Sequence, residues 1–199
     1  MTANVARPVL GDLVGPSEGT AVWIRRAVLL VAGVAALWIS AKVQITTVPV
    51  PVTLQMLVVM VIGAAYGPRL GASTVVAYLA LGFQGLPVFA GPVAGPAYFA
   101  GPTGGYLIGF AIAAFVVGTL ARMGWDRSAL TMAAAMLAGI VAVYVPGVVW
   151  LSASWGAALG WENWFAWGVW PFVWIDALKL VVAVVAFPVI WKLVGDARL

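Results

Sequence analysis

The sequence predicts an all-α integral membrane protein with six transmembrane helices, and three observations carry that expectation. The 199 residues are 64% hydrophobic and 8% charged, with a mean hydropathy of +1.10, whereas a soluble domain carries roughly 25% charged residues. Apolar runs of about 14–27 residues recur between Gly, Pro and Arg punctuation, close to the length that crosses a hydrocarbon core. When six spans are threaded, the cations divide sharply between the two sides, as expected of a membrane protein oriented by its Lys and Arg residues.

Composition also excludes chemistry. The chain has no cysteine and no histidine, which removes disulfides, thiolate catalysis, His-ligated zinc and the Ser-His and Cys-His nucleophile pairs. No enzyme is expected, and no GxxxxGK[ST] segment is present for ATP hydrolysis. A Ser-Lys pair or paired aspartates would be the remaining enzymatic arrangements, and only one Asp falls within a span. The net charge of +4 reports orientation and implies no nucleic-acid partner.

Residues 1–22 carry Pro8, Gly11, Gly15, Pro16 and Gly19 without a period, and read as a flexible cytoplasmic N-terminal tail before a single membrane domain, 23–199. Arg25 and Arg26 ahead of an apolar run imitate a signal peptide, but the run is long, lacks a small-x-small cleavage site and is followed by further spans. The first span is placed at about 23–43. Val48-Pro49-Val50-Pro51 breaks it, because each proline removes a donor and disfavours helix just before it. Spans at about 53–67 and about 69–82 are separated only by Gly67-Pro68 and form a tight hairpin.

The uncharged stretch 83–105 is rich in Gly and Pro yet carries Leu86, Val88, Phe89, Tyr98 and Phe99. It reads either as a lid or pocket wall or as an interfacial loop anchored by aromatics. The fourth span, about 104–121, ends at Arg122; the fifth, about 129–152, contains Pro146-Gly147 as an expected kink or unwinding point. Residues 153–167 hold four tryptophans, the composition of an interface belt. The sixth span is placed at about 168–194. Both termini then lie on one side, expected to be cytoplasmic, with Arg7, Arg25, Arg26, Arg69, Arg122, Arg127, Lys192 and Arg198, leaving Lys42 outside.

Lys179 lies within the sixth span, three residues after Asp176. On a helix the two share a face, and each costs about 2.5–3.5 kcal/mol near the bilayer centre on insertion scales. They form either a pocket for a small ligand with donors and acceptors, or a self-satisfied ion pair locking the helix to a neighbour. Gln55, just inside the membrane near the outer face, favours a site, while Tyr106 at the same level reads either as a pocket hydroxyl or stacking ring or as an interface anchor. Ala32, Ala36 and Ser40 recur at intervals of four on the first helix, making a close-packing surface for this chain or another.

Ala41-Lys42-Val43-Gln44 with VPVPVTLQ (48–55), GAAYGPRLGA (63–72), GLPVFAG (85–91), GPTGGYLIGF (101–110) and Asp176-x-x-Lys179 together resemble the BioY family, the biotin-binding S components of energy-coupling factor (ECF) vitamin transporters. The resemblance covers about residues 30–190. It implies the six-helix ECF S-component fold in a bacterial inner (cytoplasmic) membrane, capturing biotin at the outer face without a cofactor. It further implies that Asp176 accepts from the ureido N–H groups and Lys179 donates to a biotin oxygen, with Gln55, Thr53, Phe89 and Tyr106 completing the pocket. An ECF transmembrane coupling protein, working with ATPase subunits, would hold Ala32, Ala36 and Ser40. The rival class is an ion-coupled secondary transporter of another small carboxylate-bearing vitamin.

Overall fold

The computed structural model describes residues 7–15 and 19–196. It is built from α1 (Ala21–Lys42), β1 (Gln44–Ile45), β2 (Val52–Thr53), α2 (Gln55–Phe83), α3 (Pro96–Ala100), α4 (Gly104–Arg122), α5 (Ala129–Leu159), α6 (Trp164–Gly168) and α7 (Trp170–Asp196), with short 3-10 turns between some of them. Among the described residues, five helical segments are long and apolar enough to cross a membrane.

One of the five is folded back on itself. Gly67, at φ 78° and ψ 176°, interrupts α2 in a conformation open to glycine, and Pro68 restarts the helix without a donor to lose. Tyr78 consequently hydrogen-bonds Gln55 at 2.8 Å, although 23 residues of straight helix would separate them by about 34 Å. The expected hairpin is therefore present, with arms 55–66 and 68–83. Small residues let its neighbours approach: a Cβ on Gly63 would lie 2.6 Å from the Ala114 carbonyl oxygen, and one on Gly118 2.6 Å from the backbone of Gly67 and Pro68. Such positions favour close helix contact in lipid, where apolar area alone gives little drive to associate. The densest packing accordingly runs from α2 through α4 to α5, with α1 against α2 and α7 against α5.

Several sequence expectations are corrected. The N-terminal tail is not free over residues 7–15: Val9 is buried, the Arg7 amide donates to the Arg122 carbonyl, and Arg122 holds the Asp12 carboxylate at 2.6 Å. An aperiodic segment gave no hint of this, because its anchors lie over a hundred residues away. Residues 1–6, 16–18 and Arg198 lie outside the described residues. Helix α5 continues through Pro146 to Leu159 instead of unwinding, so the Trp-rich stretch is largely helical: the end of α5, a turn at Trp161–Asn163, and α6. Residues 43–54 form a small antiparallel ladder, Gln44 opposite Thr53 and Ile45 opposite Val52, too short to leave a strand signature.

The Gly/Pro stretch is built into the protein. Val88, Phe89 and Ala90 are buried, the Lys42 ammonium donates to the Phe89 carbonyl at 2.7 Å, and Pro96 begins α3 at its first turn. Irregular backbone is tolerated at this position because side chains of the bundle satisfy it.

Candidate functional site

Beneath β1–β2, α3 and the start of α4 lies a partly open cavity. Its walls come from five parts of the chain: Val50, Pro51 and Thr53 of the hairpin loop; Gln55 and Met56 of α2; Tyr98, Thr103, Tyr106 and Phe110 around α3 and α4; Val143 and Tyr144 of α5; and Phe172, Asp176 and Lys179 of α7. On α7, Phe172, Asp176 and Lys179 follow the i, i+4, i+7 pattern of one helical face. Asp176 stands about 9 Å along the helix from Trp170.

The charged pair is both buried and satisfied. Asp176 and Lys179 retain 4% and 7% of their exposure, and the ammonium donates to Asp176 Oδ1 at 2.7 Å and to the Thr53 carbonyl at 2.6 Å. The Tyr144 hydroxyl donates to Asp176 Oδ2 at 2.6 Å. An ammonium has three donors and a carboxylate about four acceptor positions. Lys179 thus keeps one donor and Asp176 two acceptor positions beyond these contacts. The pair ties α7 to the strand before α2 and also lines the cavity.

Gln55 lies in a relay. The Thr53 hydroxyl donates to its Oε1 at 3.2 Å, its Nε2 donates to the Tyr78 hydroxyl, and that hydroxyl donates to the Val88 carbonyl at 2.8 Å. Side chains of the cavity thereby hold the backbone of the Gly/Pro stretch. Tyr106 donates to the Gly168 carbonyl at 2.7 Å, and its ring rests on Gly147, where a Cβ would sit 2.4 Å from the ring carbon Cδ1. The expected weak point in α5 is thus a recess for an aromatic ring.

Of the residues expected at the pocket, Thr53, Gln55, Tyr106, Asp176 and Lys179 line the cavity and Phe89 does not. Phe89 lies behind the wall, stacked on Tyr98 at 4.6 Å between centroids and edge-on to Tyr78 at 5.5 Å. Tyr98 takes the cavity-facing place, because Phe89 fills the space above Gly82. Sequence reasoning missed Tyr144, whose signal was a lone hydroxyl within a long apolar run, and Phe172, one turn before Asp176. Tyr98 and Thr103 sit in an aperiodic stretch that gave no orientation.

On α1, Ala32 and Ala36 are exposed while Ser40 is buried and donates to the Leu37 carbonyl at 2.8 Å. The interval of four advances about 40° per step on a helix of 3.6 residues per turn, which carries Ser40 off the open face. Of the three residues expected to face a partner, Ala32 and Ala36 are exposed and Ser40 is not.

Comparison with known proteins gives a consistent set of relatives. Residues 12–196 match the sequence model of the BioY family. The biotin transporter BioY of Thermotoga maritima is 38% identical over 157 residues, covering 78% of this chain and 90% of that one. A probable biotin transporter BioY of Pyrococcus horikoshii is 36% identical, covering 74% of this chain and 84% of that one. Among solved structures, the S component for biotin from an ECF-type ABC transporter superposes with a TM-score of 0.76 at 27% identity, covering 88% of this chain and 95% of that one.

Proposed function

The chain belongs to the BioY family, and from that premise we propose that it is a biotin-uptake protein, the substrate-binding S component of an ECF transporter. The observation that carries this reading is the group of Asp176, Lys179 and Tyr144 set into the wall of an otherwise largely apolar cavity. Biotin combines a ureido ring, with two N–H donors and a carbonyl, with an apolar thiophane and a carboxylate-bearing tail. The free acceptor positions of Asp176 suit the ureido N–H groups, and the remaining Lys179 donor suits a biotin oxygen. Phe110, Phe172 and Tyr106 give apolar surface to the ring, while Thr53 and Gln55 supply further polar contacts.

The two arms of α2 count as separate spans in this reading, giving six crossings with both termini cytoplasmic in a bacterial inner membrane. Its support is the placement of Arg7, Arg25, Arg26, Arg69, Arg122 and Arg127 about the helix ends opposite the cavity. Biotin then arrives from outside, and the exposed Ala32 and Ala36 of α1 offer close approach to the helices of an ECF coupling protein driven by ATPase subunits.

Isothermal titration of the purified chain tests the site. Asp176→Asn and Lys179→Ala are each expected to weaken biotin binding at least about tenfold, or about 1.4 kcal/mol. Unchanged affinity in both variants would remove the pair from the binding site.

A further inference from the structure

A second recess lies at the opposite end of the molecule. It runs between α1 and the 68–83 arm of α2, roofed by residues 11 and 12 and backed by Tyr66, and is open to its surroundings. Arg25, Arg26, Arg69 and Arg122 face it, against a single described carboxylate, that of Asp12. Arg122 already occupies that carboxylate at 2.6 and 3.3 Å. Arg25 gives one hydrogen bond of 3.4 Å to the Asp12 carbonyl, and its buried Nε has no partner among the described residues. Arg26, lying over the Trp23 ring, and Arg69 are exposed at the rim.

The polarity of the recess changes with depth. Arg25 and Arg26 stand in the first turns of α1, and Leu29 and Leu30, about 6 Å further along the helix, continue the wall. On the facing arm Arg69 is followed by Leu70. A soluble anion would use the guanidiniums and leave this apolar depth unfilled. We propose that the recess holds one anionic glycerophospholipid, its phosphate between Arg25, Arg26 and Arg69 and its first acyl carbons against Leu29, Leu30 and Leu70. Guanidiniums match phosphate in both charge and geometry, and basic recesses between helices at a membrane surface are suited to anionic headgroups. The assignment is independent of what fills the cavity at the other end.

The test uses the full chain in a neutral detergent. Dioleoyl phosphatidylglycerol, dioleoyl phosphatidylcholine and inorganic phosphate are titrated separately, and adducts are read by native mass spectrometry. The expected result is one retained phosphatidylglycerol at a lipid concentration about tenfold or more below that needed for phosphatidylcholine. Arg26→Gln with Arg69→Gln should abolish the preference, and Arg26→Lys with Arg69→Lys should keep most of it. If the paired Gln variant is not monodisperse, Arg69→Gln alone at the exposed rim is read in its place. Equal retention of the two lipids, or a preference that survives the Gln substitutions, would overturn the proposal. Displacement of phosphatidylglycerol by inorganic phosphate at constant ionic strength would also overturn it, assigning the guanidiniums to a soluble anion.

Discussion

A buried carboxylate and ammonium inside a membrane helix are costly unless paired and hydrogen-bonded. Here Asp176 and Lys179 meet that condition through each other, the Thr53 carbonyl and the Tyr144 hydroxyl. Tyr144 fixes the second carboxylate oxygen, so it sets the direction in which Asp176 presents its free acceptor positions. Tyr144→Phe removes one hydrogen bond to a charged group and should weaken biotin binding about threefold to about thirtyfold while leaving the fold intact, as read by titration and thermal melting together. Asp126 makes a contrasting case in the turn at Trp125–Arg127. Burial raises its pKa above the ordinary 3.8, and the Trp191 indole and Arg127 offset that only in part. Between 3.8 and the raised value the folded chain keeps a proton that the unfolded chain has lost. Stability from this group is thus present at low pH and declines as pH rises through the folded value. Asp126→Asn should show a shallower fall in Tm than the parent chain as pH rises above 3.8; an identical slope would remove Asp126 as the source.

The elements depend on where backbone approaches backbone or ring. Gly147 lets the Tyr106 ring lie on α5, and Tyr106 in turn holds the Gly168 carbonyl at the entrance to α7. Gly147→Ala would place a methyl group against that ring, an overpacking that costs about 1–3 kcal/mol. The expected outcome is a lowered Tm together with weaker biotin binding, since Tyr106 lines the cavity; a lowered Tm with unchanged affinity would show that the ring only supports the helix. Helix positions were legible in the sequence because apolar runs and breakers suffice to mark them. The short Gly67-Pro68 link marked the hairpin, and the structure forms it with a positive-φ Gly67 followed by a proline suited to a helix start. The end of α5 and the 83–105 stretch were less legible. A proline in a helix is tolerated when neighbours satisfy the freed groups, and a loop's fold is set by distant partners such as Lys42 and Tyr78.

At the scale of the whole molecule, the two ends divide the work. One gathers arginines around α1, α2 and α4 and ties down residues 7–15 through Arg7, Asp12 and Arg122. The other closes β1–β2, α3 and the Gly/Pro stretch over the cavity. The site was legible in the sequence where a polar residue interrupts an apolar run: Gln55, Asp176 and Lys179 all line the cavity. It was illegible where aromatic residues compete for the same wall, as Phe89 and Tyr98 do, because spacing does not say which ring faces inward. Isothermal titration of the wild-type chain with biotin is the decisive measurement for the cavity around Asp176 and Lys179. Saturable binding of one biotin per chain is expected at micromolar concentration or below, abolished or sharply weakened in Asp176→Asn. Absence of binding by folded, monodisperse protein at micromolar biotin would contradict it.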